Sequence, residues 1–325
     1  MLVIRKNIFI LFLIFNFSFL SIFSQHNQTS IHKQIENISK SIEGEIGVAA
    51  LHIEKNKLIE FNGNITFPMS STYKLPIATY CLHLIDNGKL NLETTKVVSI
   101  NDMRRFCFIK PKQELTIRQQ IQLMLEKSDN ATSDIIFKMV GSGKPITQWL
   151  RKNNIKQMRI DRSTLKMIAD YSGVTNLGNE EECTVEKDWK LLKNVTPKNK
   201  KLALQHFYCD QQDTTTPIEM TNLLRKLHKG ELIRPASKDF LLKSMLRCKW
   251  KKQRITKLLP PKTILWHKTG SMDKIISDVG ILKLPNNNEH LAYAIYTNKS
   301  SMSVIKQDTA ISNISKLLFD YFSKK

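Results

Sequence analysis

A serine and a lysine three residues apart, Ser71 and Lys74, lie in the stretch Phe67-Pro68-Met69-Ser70-Ser71-Thr72-Tyr73-Lys74-Leu75-Pro76. On a helix this spacing stacks two side chains on one face, one turn apart. A serine hydroxyl is a weak nucleophile near neutral pH and needs a neighbour able to take its proton. A lysine does so once burial or nearby cations lower its pKa. The pattern alone carries little weight, because it recurs at Ser30/Lys33, Ser163/Lys166, Ser271/Lys274 and Ser303/Lys306. Two further stretches single out the first pair. Ser128-Asp129-Asn130 and Lys268-Thr269-Gly270-Ser271 each occur once, and they follow Ser71 in that order. They offer a hydroxyl that can both donate and accept, an amide, and an ammonium next to two more hydroxyls.

These three motifs, in this order, resemble the class A β-lactamases and the related penicillin-binding proteins. Arg159-Ile160-Asp161-Arg162, Asp213-Thr214-Thr215-Thr216-Pro217, Lys229-Gly230-Glu231-Leu232 and Leu258-Leu259-Pro260-Pro261 extend the likeness, which runs from about Gly44 to the C-terminus. The resemblance implies a serine hydrolase that opens β-lactam rings through an acyl-enzyme on Ser71, the chemistry of antibiotic resistance. It implies Lys74 as proton acceptor or network centre, Ser128 as the relay to the departing lactam nitrogen, and Asn130 as an amide facing substrate and Lys74. It gives Lys268, Thr269 and Ser271 the substrate carboxylate, and the backbone N–H groups of Ser71 and Ser271 the oxyanion hole. Asp129 is expected to tie its loop through backbone hydrogen bonds. His267, next to Lys268, should point to the opposite face of its strand and serve structure. Phe106 and Phe108 either wall the cleft or pack the loop that carries them.

The sequence departs from the family at one step. Relatives carry Glu-x-x-Leu-Asn just after the Arg-x-Asp-Arg segment, and that glutamate activates the water that releases the acyl group. Here Thr164 stands at the position of the glutamate, and threonine cannot act as a base near neutral pH. The segment then runs on from Asp170 to Gln212, longer than the usual loop, with Cys183 to Leu192 reading as helix. Asp170, Glu180, Glu181 and Glu182 are the carboxylates it could bring to the site. Three functions therefore stay open: a hydrolase that turns over with another base, a penicillin-binding or sensor protein that stays acylated, and a hydrolase of peptidoglycan peptides or esters.

Composition narrows the setting. Residues 1–24 have the outline of a secretory signal, with Arg5 and Lys6 ahead of an apolar run and Ser24 at a plausible cleavage point. The expectation is a periplasmic or secreted protein with no stable membrane anchor after cleavage. The formal charge is +21, but its lysines are scattered among Asn and Ile, and export argues against nucleic acid as a partner. The expected partner is a small β-lactam or a peptidoglycan-derived peptide, met by a monomer without cofactor or metal. Five cysteines in an exported chain permit at most two disulfides, and Cys183 and Cys209, which flank the long segment, are the pair proposed, with Cys107 and Cys248 as rival partners.

Elements able to position these residues follow from hydrophobic periodicity. Ile31, Ile35, Ile38 and Ile42 mark an amphipathic helix, and residues 46–53 and 58–61 a hairpin. Ile77, Tyr80, Cys81, Leu84 and Ile85 continue a helix from Ser71, and residues 117–125, 133–140, 145–152, 217–227 and 236–246 read as further helices. Period-two runs return at 263–266, 276–284 and 290–296, before a closing helix over 311–322. Strands at both ends of the chain must pair, because neither group could satisfy its edges alone. The predicted architecture is an α/β (α+β) fold: an antiparallel five-stranded sheet flanked by helices, built from 25–66 and 222–325. An all-α lobe, 67–221, is inserted in it and includes the extended segment 163–212.

Overall fold

The computed structural model describes residues 29–180, 182–250, 254–285 and 288–324, so the predicted signal segment lies outside the described residues. A helix over 29–40 (α1) leads into β1 (Glu45–His52) and β2 (Lys57–Phe61). The middle of the chain begins with a two-residue strand, β3 (Phe67–Pro68), a 3-10 turn (Ser70–Tyr73) and α2 (Lys74–Asp86). The short strands β4 (Thr95–Val97) and β5 (Glu114–Thr116) pair with each other, and α3 (Ile117–Glu126), α4 (Asn130–Met139) and α5 (Gly143–Lys152) follow. Then come α6 (Thr164–Ser172), α7 (Val185–Leu192), α8 (Pro197–Phe207) and β6 (Thr214–Thr215), which pairs with β3. α9 (Pro217–Lys229) and α10 (Pro235–Leu246) precede β7 (Leu265–Met272), β8 (Ile275–Lys283), β9 (His290–Asn298) and α11 (Val304–Ser323).

The main sheet has the order β2-β1-β9-β8-β7 and is antiparallel throughout, so strands from both ends of the chain form one sheet as predicted. Because β1, β8 and β9 are buried on both faces, they read as near-continuous apolar runs. One face packs Val48, Ala50, Tyr293 and Ile295 against Ile31 and Ile35 of α1 and Ile311, Ile314 and Leu318 of α11. The opposite face packs Val279, Ile281, Ala294 and Tyr296 into a core shared with α2, α3, α5, α9 and α10. α9 lies against β1 and β9 on this second face. At Gly47 a Cβ would fall 2.3 Å from the Phe67 ring, so this strand position requires glycine for the close approach of β3.

The segment 163–212 contains two helices that the sequence reading left unassigned, α6 and α8. Each starts on a hydroxyl cap: Ser163 accepts the Lys166 N–H, and Thr196 accepts the Asn199 N–H with Pro197 at the first helical position. The neck of the segment is tied by reciprocal hydrogen bonds. Asp213 Oδ1 accepts the N–H groups of Asp161 and Arg162 at 2.8 and 3.1 Å, while the Asp213 N–H donates to Asp161 Oδ2 at 2.9 Å. Arg162 Nε closes it with a 2.7 Å contact to Asp213 Oδ2.

The proposed disulfide is not formed. All five cysteines are free, with Cys183 buried beside Leu165, Ala169, Val174 and Leu177 while Cys209 is exposed beyond the end of α8. Packing of this small apolar cluster fixes the Cys183 side chain, and its sulfur lies against the Leu177 and Gly178 carbonyls. Among the described helices none is long and apolar enough to cross a membrane.

Candidate active site

The α-helix that presents the Ser-x-x-Lys pair begins at Lys74, later than predicted, and Ser71 sits in the 3-10 turn before it. Ser70 adopts φ +49°, a left-handed conformation that a non-glycine residue takes only under constraint. The constraint is local: the Met69 N–H donates to the Asp213 carbonyl at 3.0 Å, and the Ser71 N–H donates to Ser70 Oγ at 2.6 Å. The backbone donor expected in an oxyanion hole is thus held by its own neighbour. β7 passes close by. A Cβ on Gly270 would lie 2.8 Å from Ser70 Oγ and 2.3 Å from Ser277 Oγ, so the glycine of the Lys-Thr-Gly motif lets the strand approach the nucleophile turn.

Lys74 is fully buried, and its Nζ donates to the Ser128 carbonyl at 2.7 Å, Asn130 Oδ1 at 2.7 Å and Ser128 Oγ at 3.3 Å. Lys268, also fully buried, donates from Nζ to Ser128 Oγ at 2.9 Å and to the Thr269 carbonyl at 2.7 Å. Ser128 stands between the two ammonium groups, at φ +61° on the corner from α3 to α4. Asp129 fixes that corner: it caps α4 by accepting the Thr132 N–H and also accepts the Phe108 N–H. This is the structural role the sequence gives it. Burial, then the charge of Lys268, push the Lys74 pKa well below the ordinary lysine range, against opposing pulls from Asp129 and Asp134. Burial lowers Lys268 to about 8, and Arg254 adds to the effect.

Asn130 uses both ends of its amide. Oδ1 accepts from Lys74, and Nδ2 donates to the Arg105 carbonyl at 2.7 Å, so a substrate must compete for the second contact. Thr269 is buried and Ser271 is exposed at the mouth. Ser271 Oγ accepts from Arg254 Nη2 at 2.5 Å. Arg254 was missed in the sequence. It is fixed by Asp308 at 2.6 Å and by the carbonyls of Gly270 and Ser277, and it brings a guanidinium cation to the Ser271 end of the cleft in addition to the Lys268 ammonium.

Ser71, Ser128, Asn130, Arg254, Thr269 and Ser271 border a cleft of about 550 Å³, walled by the exposed rings of Phe106 and Phe108, by Trp250 and by Tyr171, while Lys74 and Lys268 lie buried behind the lining. Thr164, the first residue of α6, lies on its floor, with Oγ1 2.5 Å from Tyr73 Oη. Its N–H donates to Asp134 Oδ1 at 2.6 Å, and the Leu165 N–H donates to Asp134 Oδ2 at 3.0 Å. Buried Asp134, also missed in the sequence, therefore anchors α6 to α4, and it is ion-paired to Arg104 at 2.6 Å.

None of the candidate replacement carboxylates in the described residues reaches the cleft. Asp170 pairs with Arg162 at 2.9 Å, Glu180 Oε1 accepts the Ser163 N–H at 2.9 Å, and Glu182 caps its own turn through Asn179. Asp170 lines a separate cavity of about 870 Å³ on the far side of α6, together with Arg162, Lys166, His206 and Asp210. That cavity is larger than the cleft but holds no residue of the Ser71/Lys74, Ser128-Asp129-Asn130 or Lys268-Thr269-Gly270-Ser271 motifs. Among the described residues, Asp273 is the one carboxylate on the cleft lining, at the β7–β8 turn next to Tyr171. His267 points to the other side of β7 and is buried with Nδ1 3.0 Å from Asp278 Oδ1, which also accepts from Tyr293 Oη at 2.8 Å. Burial lowers its pKa, but Asp278 outweighs this and holds it at about 9. His267 is a structural cation and takes no place in the cleft.

Comparison with known proteins converges on one group. The family model described as the beta-lactamase enzyme family matches residues 30–322. Beta-lactamase VEB-1 of Pseudomonas aeruginosa is 26% identical over 330 residues, covering 97% of this chain and 98% of that protein. The extended-spectrum beta-lactamase PER-1 of the same organism is 22% identical, covering 95% and 92%. The crystal structure of TLA-3 extended-spectrum beta-lactamase superposes with a TM-score of 0.74 at 27% identity, over 91% of this chain and all of that one.

Proposed function

The chain belongs to the beta-lactamase enzyme family, and we propose that it is a class A-type serine hydrolase that opens β-lactam rings by acylation of Ser71 and releases the product slowly. One observation carries the acylation half: Ser128 Oγ accepts from both Lys74 and Lys268, at 3.3 and 2.9 Å. In this reading burial and Lys268 make the Lys74 ammonium easier to deprotonate, which suits it to take the Ser71 proton. Ser71 Oγ bonds to the lactam carbonyl carbon, the C–N bond breaks, and Ser128 hands its proton to the departing nitrogen while taking one back from Lys74. Lys268, Thr269 and Ser271, backed by Arg254, hold the substrate carboxylate. Asn130 exchanges its Arg105 contact for the substrate amide.

The Thr164–Tyr73 pair supports slow release, since neither hydroxyl is a base near neutral pH; burial pushes Tyr73 well above the ordinary tyrosine range. It also supports a second reading, a lactam-binding protein that remains acylated. We further propose export directed by residues 1–24, on the strength of their basic start and apolar run, and action as a monomer on β-lactams, with peptidoglycan peptides as the natural analogue. Intact-mass spectrometry after benzylpenicillin addition tests the proposal. The expected result is an adduct carrying the whole drug that decays over minutes as free penicilloate appears. An adduct that never decays establishes the second reading. Neither adduct nor product refutes both.

A further inference from the structure

At the far end of the sheet from Ser271, three side chains from distant parts of the chain converge. Glu54 lies in the turn after β1, His290 opens β9 and His228 is in the last turn of α9. Tyr296 is level with Gly270 across β8, so His290 is about 20 Å along β9 from the nucleophile's level, at ~3.4 Å per residue. None of the three residues lines the cleft. One ligand atom from each lies within 4.8 Å of the others, the one such grouping of His, Cys, Asp and Glu among the described residues. Glu54 is already oriented, because its Oε2 accepts the His290 backbone N–H at 2.9 Å while Oε1 lies 2.8 Å from His290 Nδ1. The two imidazoles are in contact, with ring centroids 4.2 Å apart at 45°. His228 Nδ1 is buried with no hydrogen-bond partner. A buried, unpaired polar atom facing a second imidazole and a carboxylate calls for an explanation.

We propose that Glu54, His228 and His290 form a site for one divalent transition-metal ion of the zinc class, with a fourth position open to water. Two imidazoles and a carboxylate form a borderline donor set that suits zinc, cobalt, nickel or copper rather than magnesium or calcium. In a tetrahedral zinc site with bonds of about 2.1 Å the donors stand about 3.4 Å apart. To reach this, the 2.8 Å Glu54–His290 pair must open, and separations of up to 4.8 Å must close. Bound there, the ion would fasten the end of α9 to the β1–β2 turn and to β9.

The test is titration of the metal-free full chain with Co²⁺, followed by displacement with Zn²⁺. One Co²⁺ per chain should give the intense visible bands of a four-coordinate nitrogen and oxygen site. It should also quench the tryptophan fluorescence, because the Trp266 ring is 6.0 Å from that of His290. His228→Ala and His290→Ala should each weaken binding at least tenfold and leave acylation by penicillin unchanged, with His290→Gln as the variant of nearer size. Binding unchanged in His228→Ala overturns the site. So does a sulfur-to-cobalt charge-transfer band, which would assign the ion to a cysteine, and so does the lack of any stoichiometric complex.

Discussion

The two sides of the cleft differ in how they are built. On the β7 side, Lys74, Ser128 and Lys268 form one buried network in which each ammonium is satisfied by two or more oxygens. On the α6 side, the position that relatives give to a catalytic carboxylate holds a threonine bonded to a tyrosine, and the acidic residues nearby are turned outward to Arg162 or into helix caps. Under the proposed mechanism, acylation and release are therefore separable. A complete proton network can exist on one wall while the opposite wall keeps its backbone geometry and lacks its base.

That contrast can be broken most sharply at the nucleophile. Ser71→Ala should abolish labelling by fluorescent penicillin, a loss on the order of 10³-fold or more, while thermal unfolding is unchanged because the hydroxyl is at the cleft surface. Next in size is Thr164→Glu. A restored carboxylate should raise the rate of acyl release by about 10²-fold, the lower range for a positioned general base, with little change in acylation. Single-turnover stopped-flow separates the two steps. A wild type that already releases product at about 10 per second, a typical enzyme rate, would show that another base exists.

The β7 wall can be sharpened by pH. With Lys268 lowered to about 8, its charge is present below that value and lost above it. KM for a carboxylate-bearing lactam should therefore rise through pH 8 and above, by roughly tenfold if one charge-assisted contact is lost, in line with ~1.5 kcal/mol for such a bond. Lys268→Arg, which stays charged, should flatten the rise. At the acidic end the acylation rate should fall as Lys74 takes up a proton. The smallest effect concerns thiols: with Cys183 and Cys209 apart, reductant should change the release rate less than twofold, as checked by the same stopped-flow assay.

The β7 wall was also the more legible in the sequence. Its residues come in contiguous motifs whose order is diagnostic, and its strand has the period-two pattern of a sheet element. The sheet itself followed from strands at both ends of the chain that had to pair. The α6 side was opaque for physical reasons. α8 buries little besides Phe207, so Lys198 to His206 carry no strong apolar period, and the signals that start α6 and α8 are single hydroxyl caps. Arg254 ends a run of basic residues, Lys251-Lys252-Gln253-Arg254, in which nothing distinguishes it until Asp308 is folded against it. Asp134 gains its role from backbone donors thirty positions further on. Glu54, His228 and His290 share no spacing that a motif could record. The disulfide failed as a reading because flanking a loop does not orient a sulfur, and local packing turned Cys183 inward.

The tied neck at Asp161, Arg162 and Asp213 has a consequence for how this protein can vary. Because the two strands of the neck close on each other, everything between them is a closed loop whose ends do not feel its length. Doubling such a loop costs only about 0.6 kcal/mol in closure entropy. Length can therefore vary only away from the residues that brace the cleft from inside the segment: Asp188, paired with Arg105 at 2.9 Å, Glu180 on the Ser163 N–H, Asp210 on Arg162, and Val174, Leu177 and Cys183 packed on α6. The exposed connection between α7 and α8, around Asn194 and Lys198, is where a foreign peptide would disturb these contacts least.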